Sequence, residues 1–366
     1  MTEENRDFLL VAAIDIGTTY SGDAYSMKDT YKTNPLTIHA NQAWNADGRT
    51  VLPLKTPTCL LLNSKKEFDS FGYEAENKYA DLVMVGEQDN YYYFHGFKIN
   101  MHTNKNEDSN MMLEDITGKI VPAIDVFALS IKALVNHLMY TLTQGTGMKL
   151  DDIQWVLTVP AIWTDNLMQL MRTSSEKAGL KRDHLLILKE SEAAALFCQH
   201  LPIEKLRGGE YGCKMSKIGK RYMIVDLGGA TVDVTVHDQL FGGRIKEFCR
   251  RTNGGCGGTS VDTCFIHMFE NIFGKPLLNT MKREHPLVYL ELLREIETVK
   301  MTIIPTKTGK INIKVPFPTL DALCKTHLQK DVISTVLEST YSRSISIRGD
   351  KMRIEEKLFK SFFIQL

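Results

Sequence analysis

Apolar positions along the chain fall into short runs of two periods, continuous or alternating for strands and three-to-four for helices. Their succession predicts an α/β protein. Phe8-Leu-Leu-Val-Ala-Ala-Ile-Asp-Ile is an unbroken apolar run, the pattern of a strand buried on both faces. It ends at Gly17-Thr-Thr-Tyr-Ser-Gly and resumes weakly, as a hairpin does. Residues 29 to 120 are less regular, with turn signals, the aromatic cluster Tyr91-Tyr-Tyr-Phe and the polar loop Asn104-Lys-Asn-Glu-Asp-Ser-Asn. From Pro122 to about Tyr140 the spacing of Val126, Leu129, Ala133, Leu134 and Leu138 is helical, with the proline suited to a first turn. Trp155-Val-Leu-Thr-Val reads as a buried strand stopped by Pro160. A helix is expected from Asp165, its N-cap, to Ala178, with Gly179 as the stop. Leu185-Leu-Ile-Leu is another strand, running through Glu190 into the helix Ala193-Ala-Ala-Leu-Phe-Cys.

Arg207-Gly-Gly-Glu-Tyr-Gly-Cys-Lys is a surface-loop pattern between two lobes. The second lobe opens on Tyr222-Met-Ile-Val-Asp-Leu-Gly-Gly-Ala-Thr-Val-Asp-Val-Thr-Val. Gly254-Gly-Cys-Gly-Gly-Thr then leads into a helix carrying Val261, Phe265, Met268, Phe269 and Ile272. Glu291 to Met301 reads as a helix and Ile311-Asn-Ile-Lys-Val as a half-buried strand. Lys351 to Leu366 reads as one amphipathic helix with Leu358, Phe359, Phe362 and Phe363 on one face. So apolar a face at that position is expected to want partner elements from elsewhere.

Composition narrows the class. The 366 residues are 43% hydrophobic and 24% charged, with 44 basic and 44 acidic side chains, so no basic surplus marks a nucleic-acid binder. The length suggests two domains or one domain in two lobes. No unbroken apolar run of spanning length occurs, and the polar, acidic N-terminus is not a secretory signal; no membrane span is expected. Seven scattered cysteines and no Asn-x-Ser/Thr sequon favour a reducing, cytoplasmic setting. Cys249, Cys256 and Cys264 lack the paired spacing of a zinc site, and Cys264-x-x-His267 has no second half, so buried thiols are the better reading. His237 and His267 read as packed or surface residues, and Trp44, Trp155 and Trp163 as packing anchors. Ser174-x-x-Lys177 is a chance match to a hydrolase fragment.

The informative feature is a duplication. Asp15-Ile-Gly-Thr-Thr-Tyr-Ser-Gly-Asp and Asp226-Leu-Gly-Gly-Ala-Thr-Val-Asp lie 211 residues apart, each an apolar strand ending in Asp, then a Gly/Thr turn, then a returning strand. Glycine lets backbone N–H groups approach phosphate oxygens, and threonine hydroxyls add donors. An Asp at the mouth suits the hydration shell of Mg²⁺. One copy alone would be an unremarkable hairpin; two, each heading a lobe, point to a clamp on the phosphates of a nucleotide. A G-x-x-x-x-G-K-[ST] loop is absent, which excludes a P-loop enzyme.

Val11-Ala-Ala-Ile-Asp-Ile-Gly-Thr-Thr-Tyr-Ser resembles the first phosphate loop of the Hsp70/actin/sugar-kinase superfamily, and most closely of Hsp70 chaperones. Leu157-Thr-Val-Pro-Ala-Ile-Trp and Glu190-Ser-Glu-Ala-Ala-Ala resemble the connecting segments, and Ile224-Val-Asp-Leu-Gly-Gly-Ala-Thr-Val-Asp the second phosphate loop. Phe94-His-Gly-Phe-Lys and Thr231-Val-Asp-Val-Thr-Val-His resemble the divergent heat shock 70 kDa protein 12 branch of that family. The resemblance implies an actin-like ATPase fold: two lobes of duplicated ribonuclease-H-like topology around a nucleotide cleft. Lobe I would span 7–206, with an insert at about 40–120, and lobe II 218–366.

It also implies roles. Gly17, Thr18, Thr19 and Tyr20 would form the first loop, and Gly228, Gly229 and Thr231 the second. Asp15 and Asp226 would hold Mg²⁺ through water, Asp226 also ordering the attacking water. Lys98 and Glu190 would complete the catalytic set. Gly257 and Gly258 would form a turn near the nucleotide, with Glu297 and Lys300 flanking adenosine from one helix face. Read without the resemblance, Lys98 is equally a solvated surface lysine and Glu297–Lys300 an ordinary solvated pair.

Three departures bear on activity. Ala230 replaces a family glycine and would crowd phosphate or restrict φ. Met301 replaces an adenine-stacking arginine, a cation–π contact of about 1 kcal/mol. Nothing after Pro316 matches the glycine-rich adenosine loop, so the second lobe is expected to be incomplete, with no peptide-binding domain. The expected ligands are ATP or ADP with Mg²⁺, and protein partners are left open. The two functions in contention are ATP hydrolysis coupled to lobe closure, and a pseudo-ATPase that senses nucleotide or binds a partner without turnover. A small-molecule kinase on the same fold lacks a substrate insertion and a dedicated base.

Overall fold

Asp15 and Gly22 face each other across the first hairpin of the computed structural model, which describes residues 7–40, 54–103, 111–143, 147–201, 221–254, 256–306 and 308–364. Trp44, the polar loop at 104–110 and the expected inter-lobe loop at 207–214 lie outside the described residues. The chain divides into two compact units, Met1–Asn253 and Gly254–Leu366.

In the first unit, β1 (Leu10–Ile16) and β2 (Tyr20–Met27) form the expected hairpin. The irregular stretch beyond it is more ordered than its sequence suggests. There β3 (Cys59–Leu62), β4 (Phe68–Phe71) and β5 (Tyr92–His95) make an antiparallel sheet of order β4-β3-β5, with helix α1 (Tyr73–Val85) packed on it. Then come α2 (Ala123–Thr143), β6 (Ile153–Val159), α3 (Asp165–Lys177), β7 (Leu185–Lys189) and α4 (Glu190–His200). The main sheet has the order β7-β6-β1-β2, parallel at its first two pairings and antiparallel at the hairpin. The two-residue strands His39–Ala40 and Thr56–Pro57 both pair with β2. A separate three-stranded sheet follows: β8 (Arg221–Leu227), β9 (Thr231–Gln239) and β10 (Ile245–Gly254).

The core of this unit joins Leu10, Ala12, Ile14 and Ile16 of β1 to Phe97, Phe127, Trp155 and Leu157. Burying each such Leu, Ile or Phe is worth about 1.5–3 kcal/mol. Two expectations are corrected here. The unbroken apolar run of β1 is not buried on both faces: its even positions pack inward under α2, while Val11 is 46% exposed. The N-cap of α3 is Thr164, whose hydroxyl accepts from the Leu167 N–H, and not Asp165, which lies one residue inside. Helix α2 is long and apolar enough to cross a membrane, by its length and composition alone. Its Val126, Phe127, Ile131, Leu134 and Leu138 are buried in this core.

The second unit packs α5 (Gly258–Phe273) and α6 (Pro286–Lys300) with a sheet of order β11-β13-β12, made of β11 (Ile311–Lys314), β12 (Ile345–Arg348) and β13 (Lys351–Ile354). The single terminal helix expected from Lys351 is therefore two elements: strand β13 and, after it, α7 (Glu356–Ile364). Met352 and Ile354 alternate into the core as strand residues. The apolar face of α7 has its partner at hand. Phe359 and Phe362 both meet Phe265 of α5 edge-on, with ring centroids 5.7 Å apart.

Candidate functional site

The two glycine turns are built alike. In the first, the Gly17 N–H donates to the Tyr20 carbonyl at 3.1 Å; in the second, Gly228 donates to Thr231 at 3.0 Å. A Cβ on Gly17 would lie 2.3 Å from the Tyr20 oxygen, so that position admits only glycine. The turns also approach one another, because a Cβ on Gly229 would lie 2.5 Å from the Thr19 hydroxyl. Among the described residues only Lys66 and Gln329 are non-glycines with positive φ, so Ala230 occupies ordinary backbone space. The restriction on φ expected of Ala230 does not arise, although its methyl is buried.

Thr58 braces the first turn. Its hydroxyl donates to the Gly17 carbonyl at 2.8 Å and lies 2.7 Å from the Ser21 hydroxyl. Its N–H donates to Thr19, and its carbonyl accepts from Gly96. Gly96, at φ +58°, turns the chain into the short helix Phe97–Ile99. Lys98 is thereby fixed beside the turn: its ammonium donates to Glu190 Oε1 at 2.7 Å and lies 5.5 Å from the Trp163 ring centroid. With its side chain only 4% exposed, Lys98 is not the solvated surface lysine that the sequence left open. Glu190, first residue of α4, has a side chain 24% exposed. Burial raises its carboxyl above the ordinary value, with Asp15 and Asp226 adding repulsion and Lys98 opposing.

Asp15 and Asp226 sit at matching points of their hairpins, yet their surroundings differ. Asp15 accepts from Thr158 at 2.9 Å, its parallel neighbour on β6, and from Lys55 at 2.6 Å. Burial pushes the Asp15 carboxyl up, but Lys55 and Lys98 together with these hydrogen bonds outweigh it and hold the group below the ordinary value. Asp226 faces Asp233 across β8 and β9, and Thr231 donates to Asp233 at 3.3 Å. Burial, then Asp233 and Asp15, push Asp226 up against the opposing pull of Lys98 and Lys55. Among the described residues no group of three or more His, Cys, Asp or Glu could hold a metal ion by itself. The carboxylates of Asp15 and Asp226, one beside each glycine turn, nonetheless fit a cation that brings water and phosphate oxygens with it, as Mg²⁺ does, because such an ion needs only one or two carboxylates from the protein.

In the second unit Lys300 is half-buried rather than solvated. Its ammonium meets Glu297 at 2.5 Å, both oxygens of Asp262 at 2.8 and 3.0 Å, and the Gly258 carbonyl at 3.1 Å. Gly257 caps α5 immediately before it. Burial raises Asp262, with Lys300 opposing. Gly258, Glu297 and Lys300 are thus brought together, and Met301, just past α6, is largely exposed.

Sequence reasoning missed Lys55, Thr158, Thr58, Asp233 and Asp262. Thr158 and Asp233 lie inside quoted motifs and were within reach as strand neighbours of Asp15 and Asp226. Lys55 and Thr58 come from a stretch with no signal of its own; only the pairing of Thr56–Pro57 with β2 places them. His237 is buried and His267 is a surface residue paired with Glu270, as expected.

Fold and site together define an α/β protein with paired glycine-turn hairpins and a lysine–carboxylate cluster beside them. A family model described as Hsp70 protein matches residues 94–345, and the chain belongs to that family. It is 32% identical over 367 residues to heat shock 70 kDa protein 12B of Homo sapiens, covering 87% of this chain and 53% of the relative. Heat shock 70 kDa protein 12A of Homo sapiens is 31% identical over 367 residues, covering 87% and 54%. Chaperone protein DnaK of Thermoplasma acidophilum is 27% identical over 216 residues, covering 58% and 32%. The chain spans about half the length of the heat shock 70 kDa protein 12 relatives it matches.

Proposed function

We propose that this chain binds ATP with Mg²⁺ at its two glycine turns and hydrolyses it, within a two-lobed, actin-like ATPase architecture. The observation that carries the reading is the Lys98–Glu190 ion pair, held through Gly96 and Thr58 against the first turn. The turn at Gly17–Tyr20 and the turn at Gly228–Thr231 would supply backbone and threonine donors to the phosphate oxygens. Lys98 would neutralise charge developing on the transferred phosphoryl group, and Glu190 fixes where its ammonium sits. Asp226, at the end of β8 beside the second turn, would orient the attacking water. The bound cation supplies charge neutralisation across the phosphates. The family resemblance implies an adenosine role for Glu297 and Lys300, which pair with each other in the second unit. The free thiols of Cys198, Cys249, Cys256 and Cys324 support a cytoplasmic setting.

A second reading, nucleotide sensing without turnover, is favoured by Lys55 on Asp15, because an ammonium occupies the carboxylate that would face the cation. Single-turnover phosphate release separates the two. Hydrolysis predicts release by the native protein, lost in Lys98→Met and Glu190→Gln. A folded protein that binds ATP and releases no phosphate over many binding lifetimes contradicts it.

A further inference from the structure

Asp15, Gly22 and Lys55 lie side by side, Lys55 being the residue just before the short strand Thr56–Pro57. Asp15 pairs with Gly22 across β1 and β2; Ser21 pairs with Thr56, which puts Lys55 opposite Gly22 on the other side. Gly22 has no side chain to separate its neighbours, and the Lys55 stem lies over it. A Cβ on Gly22 would be 3.0 Å from Lys55 Cγ and 3.2 Å from the Leu54 carbonyl. The stem thus reaches across the glycine to place its ammonium 2.6 Å from Asp15 Oδ2. In the second hairpin the position facing the carboxylate is Asp233 instead, so one loop carries an internal cation and the other an extra anion. The Gly22/Asp233 difference is written in the two motifs themselves, seven residues after each carboxylate, but the lysine that crosses Gly22 comes from outside them.

We propose that Lys55 is a built-in counter-cation of Asp15, which a divalent cation must displace to reach the first loop. The inference takes the identity of the cation from the nucleotide-binding reading, but the ion pair acts on any dication that seeks Asp15. With Lys55 51% and Asp15 37% exposed, the ammonium can swing away into solvent, and the pair is a removable guard rather than a fixed strut. While it stays, it supplies positive charge beside the phosphate turn, so nucleotide binding depends less on the dication than it would with Asp15 bare. Lys55 is therefore a residue that sets cation affinity, acting through Asp15.

Mn²⁺ alone is the probe, its free concentration read by electron paramagnetic resonance on the intact chain without nucleotide. Lys55→Gln is expected to bind Mn²⁺ about tenfold more tightly than the native protein, from removal of one nearby positive charge. Lys55→Arg should stay native-like, and adding Asp15→Asn to Lys55→Gln should abolish the gain. Gly22→Ala, which pushes the stem aside without touching either charge, should shift affinity in the same direction as Lys55→Gln. Equal or weaker binding by Lys55→Gln, including no measurable binding by either protein, overturns the proposal. A parallel calorimetric titration with ATP in chelator tests the other reading separately. If the native protein binds no ATP with or without Mg²⁺, nucleotide binding fails while the Mn²⁺ comparison still decides the role of Lys55.

Discussion

Lys98 and Glu190, 92 positions apart, meet at 2.7 Å, with the lysine almost wholly buried and the glutamate at the first turn of its helix. Breaking such a pair from one side strands the other charge. Lys98→Met is therefore expected to destabilise the first unit by about 3 kcal/mol, the lower end of the range for buried pairs because Glu190 keeps some solvent. Lys98→Met with Glu190→Gln should recover part of that loss, since no lone charge remains. Urea denaturation of the two single variants and the double variant reads the coupling directly. Additive losses would mean that the pair is not coupled.

The carboxylates give opposite pH signatures. Asp226 is raised, so its folded state holds the proton more tightly than the unfolded chain, and its contribution to stability falls as pH rises from the unfolded value through the folded one. Asp15 is lowered; its contribution is full above the unfolded value and is lost as pH falls through the folded value. Asp233→Asn removes a repulsive neighbour and should move the Asp226 titration to lower pH, as followed by carboxyl carbon NMR. An unmoved or upward titration would show that Asp233 is not acting on Asp226.

Glycines in the turns differ in what they tolerate. Gly17→Ala forces a Cβ against the Tyr20 carbonyl and is expected to cost about 2 kcal/mol or more. Ala230→Gly should leave nucleotide affinity within about threefold, because residue 230 needs no left-handed backbone. A large gain in affinity from Ala230→Gly would restore the view that this methyl is what departs from the family pattern.

How much could be read beforehand follows from which interactions are local. The hairpins, α2, β6 and α4 are legible because period and turn chemistry lie within a dozen residues. The pairing of Asp15 with Asp226 as matching carboxylates was legible as a repeated motif. Lys55 was not, because it reaches Asp15 only through the pairing of Thr56–Pro57 with β2, a two-residue strand without periodicity. The fate of Lys98 was undecided for the same reason, since Trp163 and Glu190, which enclose it, are distant in sequence. The stretch from Lys351 misled because Leu358, Phe359, Phe362 and Phe363 have helical spacing. Alternation of Met352 and Ile354 over four residues is too short to announce a strand.

The aromatic contact between α5 and α7 makes a separate stability prediction. Phe359→Ala removes a wholly buried ring set against Phe265 and Phe362, and should cost about 3–5 kcal/mol. Phe363→Ala, a half-buried neighbour on the same helix, should cost visibly less. Equal effects in thermal or urea unfolding would mean that α7 is not seated on α5 through Phe359.

The most direct test of the nucleotide-binding claim is calorimetric titration of the folded, monodisperse chain with ATP and Mg²⁺, beside Asp226→Ala. The expected result is saturable binding near one ATP per chain, weakened in the variant at least tenfold, the scale of losing one ionic contact to the bound phosphate-cation unit. Heats no greater than dilution in a correctly folded native sample would contradict it, and the paired turns would then have a role other than holding phosphate.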